Sequence, residues 1–279
     1  TFFMARKNYF LSEKLIEQRI KDGRGQGYGE KYQPWLRVQD VPSDGRSHRI
    51  FSHKTKRIHH LLSDLELATF HLFDWSESVL DIREQFPLIR DDTRIIAQRE
   101  GIKHPATQGV DLVMTTDFLI DAKDPFPAQF AVQVKYQESF KDPRTIEKLD
   151  LERCYWQQKG IPWVTITEQD IDVQIRKNIE WLYSVKIDDI TSTKQISETM
   201  AFLPAAVARF SEFSIIEACK HIDLAYELEL GQSLRDLRLL MANRLAIFDI
   251  RKPVHQLKIA DIKFMQLNGM EPFLYVENQ

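Results

Sequence analysis

Cysteine is almost absent, with only Cys154 and Cys219 among 279 residues. Two thiols so far apart exclude the disulfide framework of a small secreted domain and a cysteine-rich zinc site. Long hydrophobic runs are also missing, since no stretch approaches the roughly 18 apolar residues of a membrane-spanning helix, and nothing resembles a secretory signal. We therefore expect a cytoplasmic protein without a membrane partner.

An excess of positive charge is missing as well, because the formal net charge is −3. A protein that coats nucleic acid needs clustered Lys and Arg to neutralise phosphates, so that class is excluded. The stretch "GRSHRIFSHKTKRIHH", residues 45–60, predicts a β-hairpin and contains five cations but no acid: Arg46, Arg49, Lys54, Lys56 and Arg57. Two interpretations are open for these cations, a solvated hairpin or contacts to a DNA backbone.

The first part of the chain alternates predicted helices and strands. We expect helices over 12–22 and from Ser63, strands near 79–83, 111–121 and 130–136, a helix from Pro143 to Gly160, and a further strand. This order predicts an α/β fold with a mixed sheet flanked by helices. The run "GRGQGYG", residues 23–29, follows a helix and lacks a phosphate-loop pattern, so it predicts a flexible linker.

Beyond residue 168 the sequence is mostly helical. A helix, a second helix that we expect Ser233 to cap, and a hairpin through Pro253 follow one another, the order typical of a winged-helix domain. We therefore predict a domain over 1–168 and a winged-helix domain over 169–279. The second helix carries Arg235 and Arg238, but Asp236 interrupts them, which favours docking to protein over groove recognition.

Three polar residues lie on two neighbouring predicted strands. In "FAVQVK", residues 130–135, Gln133 and Lys135 share one face, and in "TTDFLID", residues 115–121, Asp117 faces away from Phe118. An antiparallel hairpin would place the three together. An acid followed by an amide or acid, one spacer and a lysine suits metal-dependent DNA cleavage, although polar residues on half-buried strands commonly just face water.

Glu66 is a possible fourth member of this group. It follows Ser63 at the spacing of a capping box, in which the glutamate would bond a backbone amide at the helix start. Nuclease sites of this kind also often take an acid from a preceding helix. Both interpretations are open.

Several long blocks carry a family resemblance, among them "GRSHRIFSHKTKRIHHLLSDLELA", "GVDLVMTTDFLID", "QFAVQVK", "LERCYWQQKGIPW" and "DLAYELELG". On these blocks the chain resembles the TnsA family, the restriction-endonuclease-like subunits of heteromeric bacterial cut-and-paste transposases. The resemblance implies a catalytic domain with the restriction-endonuclease fold. It also implies a winged-helix domain that associates with the other transposition proteins.

The resemblance also implies the site. The catalytic residues fall on Glu66, Asp117, Gln133 and Lys135, and the metal ligands are the first three with the main-chain carbonyl of Val134. Two Mg²⁺ ions are expected, with Mn²⁺ as a substitute. Glu152 is either a supporting acid behind the ligands or an ordinary surface acid.

The activity implied is cleavage of the 5′ strands at transposon-end DNA, while a partner transposase of the DDE type cuts and joins the 3′ ends. An ATP-dependent regulator is expected to bind the C-terminal domain, and the protein to associate with the nucleoid during transposition. Two alternatives are open. One is an autonomous restriction-type endonuclease, and the other is a catalytically silent DNA-binding adaptor.

Overall fold

The computed structural model describes residues 12–41, 46–185 and 190–265. The chain divides between Asp172 and Val173 into two compact units, which we call the N-terminal and C-terminal units. The predicted boundary at 168 lies four residues earlier. Within the described ranges, no helix is long and apolar enough to cross a lipid bilayer.

The N-terminal unit is a four-stranded sheet with helices around it. Its helices are α1 (Glu13–Lys21), α2 (Asp64–Trp75), α3 (Arg90–Arg99) and α4 (Pro143–Gln158). Its strands are β1 (His48–Phe51), β2 (Ile58–Leu61), β3 (Val79–Pro87), β4 (Ala106–Thr107), β5 (Val110–Asp111), β6 (Thr115–Ala122), β7 (Gln129–Val134) and β8 (Trp163–Ile166). The sheet has the order β3-β6-β7-β8. Because β7 pairs antiparallel with β6 and parallel with β8, the predicted mixed sheet is confirmed.

Successive side chains of the sheet strands point to opposite faces, and apolar side chains are buried on both faces. On one face Leu119 and Ala131 pack against α3 and α4, in a cluster that includes Leu151 and Trp156. The rings of Phe118 and Phe130 each contact Phe73 of α2, at centroid distances of 6.1 and 6.0 Å. Each such buried side chain contributes about 1.5–3 kcal/mol of hydrophobic stabilisation. The sheet is therefore a rigid support for the residues at its ends.

Two strand predictions differ from the structure. The strand predicted to end at 83 continues to Pro87, and the one predicted over 111–121 is two separate strands, β5 and β6. The first error arose because Glu84 and Gln85 interrupt the apolar pattern although both are buried. The side chains that hydrogen-bond to Glu84 and Gln85 are distant in the sequence, so the residues around position 84 do not indicate that both are buried.

The glycine-rich stretch 23–29 forms a compact loop, so the prediction of a flexible linker was wrong. The amide of Gly25 donates to the carbonyl of Gln33 at 2.6 Å, and the amide of Gln33 donates to the carbonyl of Gln26 at 3.0 Å. Gly25 has a φ of +78°, and a Cβ there would lie 2.1 Å from Cγ of Pro87. Glycine at this position therefore allows the loop to pack directly on the end of β3.

The C-terminal unit contains four helices and two short strands among its described residues. They are α5 (Val173–Tyr183), α6 (Ile190–Ala208), α7 (Ile215–Ala225), α8 (Gln232–Ala242), β9 (Ala246–Ile247) and β10 (Lys263–Phe264), with β9 antiparallel to β10. Gly231 occupies the N-cap of α8, so the predicted cap at Ser233 was wrong. The buried carboxylate of Asp223 accepts instead from the amides of Gly231 and Ser233, at 2.7 and 2.9 Å. The order of α7, α8 and the paired strands β9 and β10 agrees with the predicted order of elements. The assignment of this unit as a winged-helix domain stays a prediction.

Candidate active site

The first turn of α2 positions Glu66. Ser63 is the N-cap, and its Oγ accepts from the amide of Glu66 at 3.1 Å. The side chain of Glu66 also contacts the backbone before the helix, since its Oε2 accepts a hydrogen bond from the amide of Leu62 at 2.9 Å. The capping interpretation therefore describes real contacts. Yet this carboxylate is also buried, and its Oε2 lies 3.3 Å from Nε2 of Gln85 on β3. Glu66 therefore both caps α2 and belongs to a polar cluster at one end of the sheet, which consists of Glu66, Gln85, Asp117, Gln133 and Lys135.

The antiparallel pair β6–β7 brings the other predicted residues together. The amide of Asp117 donates to Oε1 of Gln133 at 3.1 Å, and its carboxylate Oδ2 accepts from the amide of Val134 at 2.8 Å. Nζ of Lys135 lies 3.6 Å from the same Oδ2. Asp117 lies near the start of β6 and Lys135 directly follows β7, so all of these groups meet at one end of the sheet.

Lys135 places a positive charge within this cluster. Burial lowers the pKa of its amine, but Asp117, Glu152 and Glu66 outweigh burial and raise that pKa above its ordinary value. The amine is therefore protonated at neutral pH and donates to the carbonyl of Val134 at 3.0 Å. It acts as a hydrogen-bond donor and counter-charge, and it does not serve as a base.

One buried residue of the cluster was missed by sequence reasoning. Nε2 of Gln85 lies 3.3 Å from Oε2 of Glu66 and 3.2 Å from Oδ1 of Asp117, so its amide bridges the two acids. Gln85 lies two residues beyond the predicted end of β3 and was not among the catalytic residues predicted from the sequence. Its only signal is structural, a backbone φ of +47° inside a strand.

Glu152 lies behind the cluster on α4 and is almost fully buried, so the interpretation as a surface acid was wrong. It accepts hydrogen bonds from Oγ1 of Thr116 and, at 2.9 Å, from Nε1 of Trp163. Burial, together with the nearby Asp117, raises the pKa of Glu152 to about 8. The residue therefore supports the strand that carries Asp117, and its carboxyl group holds a proton more readily than that of an exposed glutamate.

A cavity of about 380 Å³ opens beside the cluster. Gln133, Lys135 and Glu152 line one part of it, and Thr145 and Lys148 of α4 line another. Lys148 is exposed, and with Lys135 it makes this side of the cavity cationic. The cavity therefore provides room for an anionic group beside Gln133 and Lys135.

The donor atoms of the cluster suit a hard cation. Among the residues that the structure describes, no three His, Cys, Asp or Glu side chains are arranged to hold a metal ion. A cation here would depend on two carboxylates, Glu66 and Asp117, plus the neutral oxygens of Gln133 and Val134. Burial and the charge of Asp117 raise the pKa of Glu66 to about 8, the sign of two acids that lack enough positive charge nearby. Oxygen donors of this kind fit Mg²⁺.

The basic stretch does form a hairpin, because β1 and β2 pair antiparallel. Two of its cations are engaged within the fold. Arg57 is buried and contacts Glu84 with both terminal nitrogens, at 2.8 and 2.5 Å, so it cannot reach a DNA backbone and its candidacy was wrong. Nζ of Lys54 donates to the carbonyls of Ser76 and Val79 at 2.8 and 2.6 Å, which holds it against the end of α2.

The other three cations of the hairpin lie at the surface. Arg49 and Lys56 are exposed. Arg46 is also exposed and forms an ion pair with Asp64 at 2.9 Å. These three residues therefore remain the candidates for contacts to a DNA backbone.

Comparison with known proteins identifies the family. A model for the N-terminal part of TnsA-like endonucleases matches residues 76–168, and a model for the C-terminal part of TnsA endonucleases matches residues 170–250. The Escherichia coli protein "Transposon Tn7 transposition protein TnsA" is 52% identical over 275 residues, which cover 99% of this chain and 100% of that protein. The chain belongs to the TnsA family. The resemblance found in the sequence is thus confirmed, and the chain is a transposition endonuclease with a restriction-endonuclease-like N-terminal unit.

Proposed function

We propose that this chain is a Mg²⁺-dependent endonuclease that hydrolyses the 5′ strand at each transposon end. The observation that carries the proposal is the convergence of Glu66, Asp117, Gln133 and Lys135 at one end of the sheet, where Gln85 links Glu66 to Asp117. Membership of the TnsA family supports the substrate class, since the E. coli relative is named as a transposition protein.

The two acids, Oε1 of Gln133 and the carbonyl of Val134 would hold the metal. When bound, Mg²⁺ would supply positive charge that stabilises a phosphodiester in hydrolysis. The two neutral oxygens now accept hydrogen bonds from the amide of Asp117 and from Lys135. Each carbonyl oxygen has a second lone pair, so these bonds are compatible with a further ligand.

Lys135 would act on the phosphate and on water as a donor. Its amine is protonated, and it lies at the cavity where an anionic group can enter. A donor held in a partly buried site stabilises developing charge more strongly than the same donor in water. The exposed Lys148 would hold the DNA strand in the same cavity through a neighbouring phosphate.

The partners follow from the family rather than from a contact. A DDE-type transposase would cut and join the 3′ ends, and an ATP-dependent regulator would bind the C-terminal unit, residues 173 onwards. The net charge of −3 supports this dependence on partners, because the chain has little general attraction for DNA.

The test is strand cleavage on a supercoiled donor plasmid with the partner proteins and Mg²⁺. Asp117→Asn and Lys135→Met should each abolish the 5′ nick and leave binding to the partner transposase intact. Asp121→Asn is the matched control, because Asp121 lies on the same strand and contacts Arg83 at 2.6 Å, away from the cluster. Normal 5′ nicking by Asp117→Asn would refute the site.

The same assay separates the two alternatives. An autonomous restriction-type enzyme would cut the plasmid with Mg²⁺ and no partner. A silent adaptor would support wild-type transposition in the Asp117→Asn form. We expect neither result.

A further inference from the structure

Gln85 occupies an unusual place in the polar cluster. Its side chain is buried, and its Nε2 is within hydrogen-bond distance of two different carboxylates, those of Glu66 and Asp117. Those acids come from two different elements, since Glu66 lies on α2 and Asp117 lies on β6, a strand of the sheet. Gln85 is thus a direct link between them.

The orientation of this amide is determined by a third contact. Oγ1 of Thr115 donates to Oε1 of Gln85 at 3.1 Å, so the oxygen end of the amide faces a donor and the nitrogen end faces the acids. The backbone is held as well, because the amide of Trp35 donates to the carbonyl of Gln85 at 3.2 Å. Side chain and main chain are therefore both fixed, and the two N–H groups point at the carboxylates.

The backbone conformation adds a second, independent indication. Gln85 has a φ of +47° within β3, between Glu84 and Phe86, which both pair with β6 in the normal way. A non-glycine residue in this region is strained and persists where the surroundings enforce it, most often at functional sites. Glycine would adopt this conformation without strain, yet the position holds a residue whose amide reaches the cluster.

Two buried carboxylates repel each other and tend to separate, or one of them takes up a proton. Lys135 lies near Oδ2 of Asp117, whereas Gln85 lies near Oδ1 of the same residue and also near Glu66. The amide is thus the group that spans both acids directly. A hydrogen bond to a charged group is stronger than one between neutral groups, so the two contacts of this amide hold both acid side chains in place.

We propose that Gln85 is a positioning residue that keeps the carboxylates of Glu66 and Asp117 converged, so that together they bind a divalent cation. The inference rests on the proposed function and extends it to a residue outside the ligand set. Partners of metal ligands typically change metal affinity by roughly 10- to 100-fold when they are replaced. We expect the loss of this amide to have an effect in that range.

The experiment measures Mn²⁺ binding to the full chain without DNA, from the electron paramagnetic resonance signal of free Mn²⁺. Gln85→Met removes the amide and keeps the length of the side chain, and Gln85→Gly removes it at a backbone conformation that suits glycine. Both should bind Mn²⁺ roughly 10- to 100-fold more weakly than the wild type. Gln129→Met is the matched control, because Gln129 also lies on a sheet strand and donates to an aspartate, Asp121, at 2.6 Å. It should bind like the wild type.

A second readout separates positioning from a general loss of structure. Cleavage by Gln85→Met should recover as the Mg²⁺ concentration rises, whereas cleavage by Asp117→Asn should not. Wild-type Mn²⁺ affinity in both Gln85 variants, with binding lost in Asp117→Asn, would overturn the inference and leave the proposed function standing. Equal weakening in Gln129→Met would also overturn it. If the wild type and Asp117→Asn do not differ in Mn²⁺ binding, the inference and the proposed function both fail.

Discussion

The buried ion pair between Arg57 and Glu84 gives the sharpest prediction about stability. Oε2 of Glu84 lies 2.5 Å from a terminal nitrogen of Arg57 and 2.8 Å from Nδ1 of His59, and the Glu84 side chain is 0% exposed. Glu84→Gln would leave the Arg57 guanidinium in the interior without its counter-charge. Removing one member of a buried pair costs about 3–5 kcal/mol, so we expect a loss of that size in the free energy of unfolding at neutral pH.

An exposed pair of equal length provides the control. Arg144 and Glu147 also lie 2.5 Å apart, but their side chains are 32% and 49% exposed. Exposed pairs contribute about 0.2–1 kcal/mol, so Glu147→Gln should change stability by no more than that. Urea denaturation of both variants measures the difference. If Glu84→Gln lowers the free energy of unfolding by no more than Glu147→Gln does, burial does not strengthen the contribution of the Arg57–Glu84 pair, and the reasoning fails.

The effect of Glu84→Gln should depend on pH. Burial would raise the pKa of Glu84, but His59 and Arg57 outweigh burial and hold that pKa well below its usual range. Because the folded-state pKa is depressed, the stabilisation is fully present above the unfolded-state value of about 4.3 and is lost as the pH falls below it. The difference between wild type and Glu84→Gln should therefore shrink in acid. A constant difference from neutral pH into that range would contradict this account.

Two further predictions concern other parts of the chain. Gly25→Ala should lower the free energy of unfolding by well over the roughly 1–3 kcal/mol of backbone strain, because the new Cβ would lie 2.1 Å from Pro87. Gly23→Ala is the control, since Gly23 has a φ of +74° and nothing lies within 4 Å of the position that its Cβ would take, so this variant should show the strain alone. Chemical denaturation compares the two, and equal losses would contradict the close packing on Pro87. Asp223→Ala should cost about 0.5–2 kcal/mol, because the amides at the start of α8 lose their acceptor. Asp236→Ala, within α8, should stay within about 0.5 kcal/mol, and a thermal unfolding scan that shows the two alike would refute the capping role.

Much of the site could be predicted because strands have a regular period. Alternation placed Asp117 on one strand and Gln133 and Lys135 on the next, and the antiparallel pairing of β6 with β7 brings them together. The capping spacing of Ser63 and Glu66 was also correct, and the structure adds that one carboxylate can both cap a helix and face the cluster.

The remaining features depend on contacts between distant parts of the chain. Arg57 looked like a surface cation because its partner, Glu84, lies on another strand, and an exposed and a buried arginine leave the same local pattern. Gln85 was missed for the same reason, since its role comes from a left-handed backbone and from acids on two other elements. The glycines of 23–29 resembled a linker because the proline that requires Gly25 follows much later, at position 87.

The most direct test of the active site is a crystal soaked in Mn²⁺, with anomalous diffraction to locate the ions. We expect density bonded to a carboxylate oxygen of Asp117, with Glu66 contributing to the same cluster and with Gln85 next to both acids. Ions that bind only elsewhere on the protein, with Glu66 and Asp117 unchanged at saturating Mn²⁺, would contradict the proposed active site.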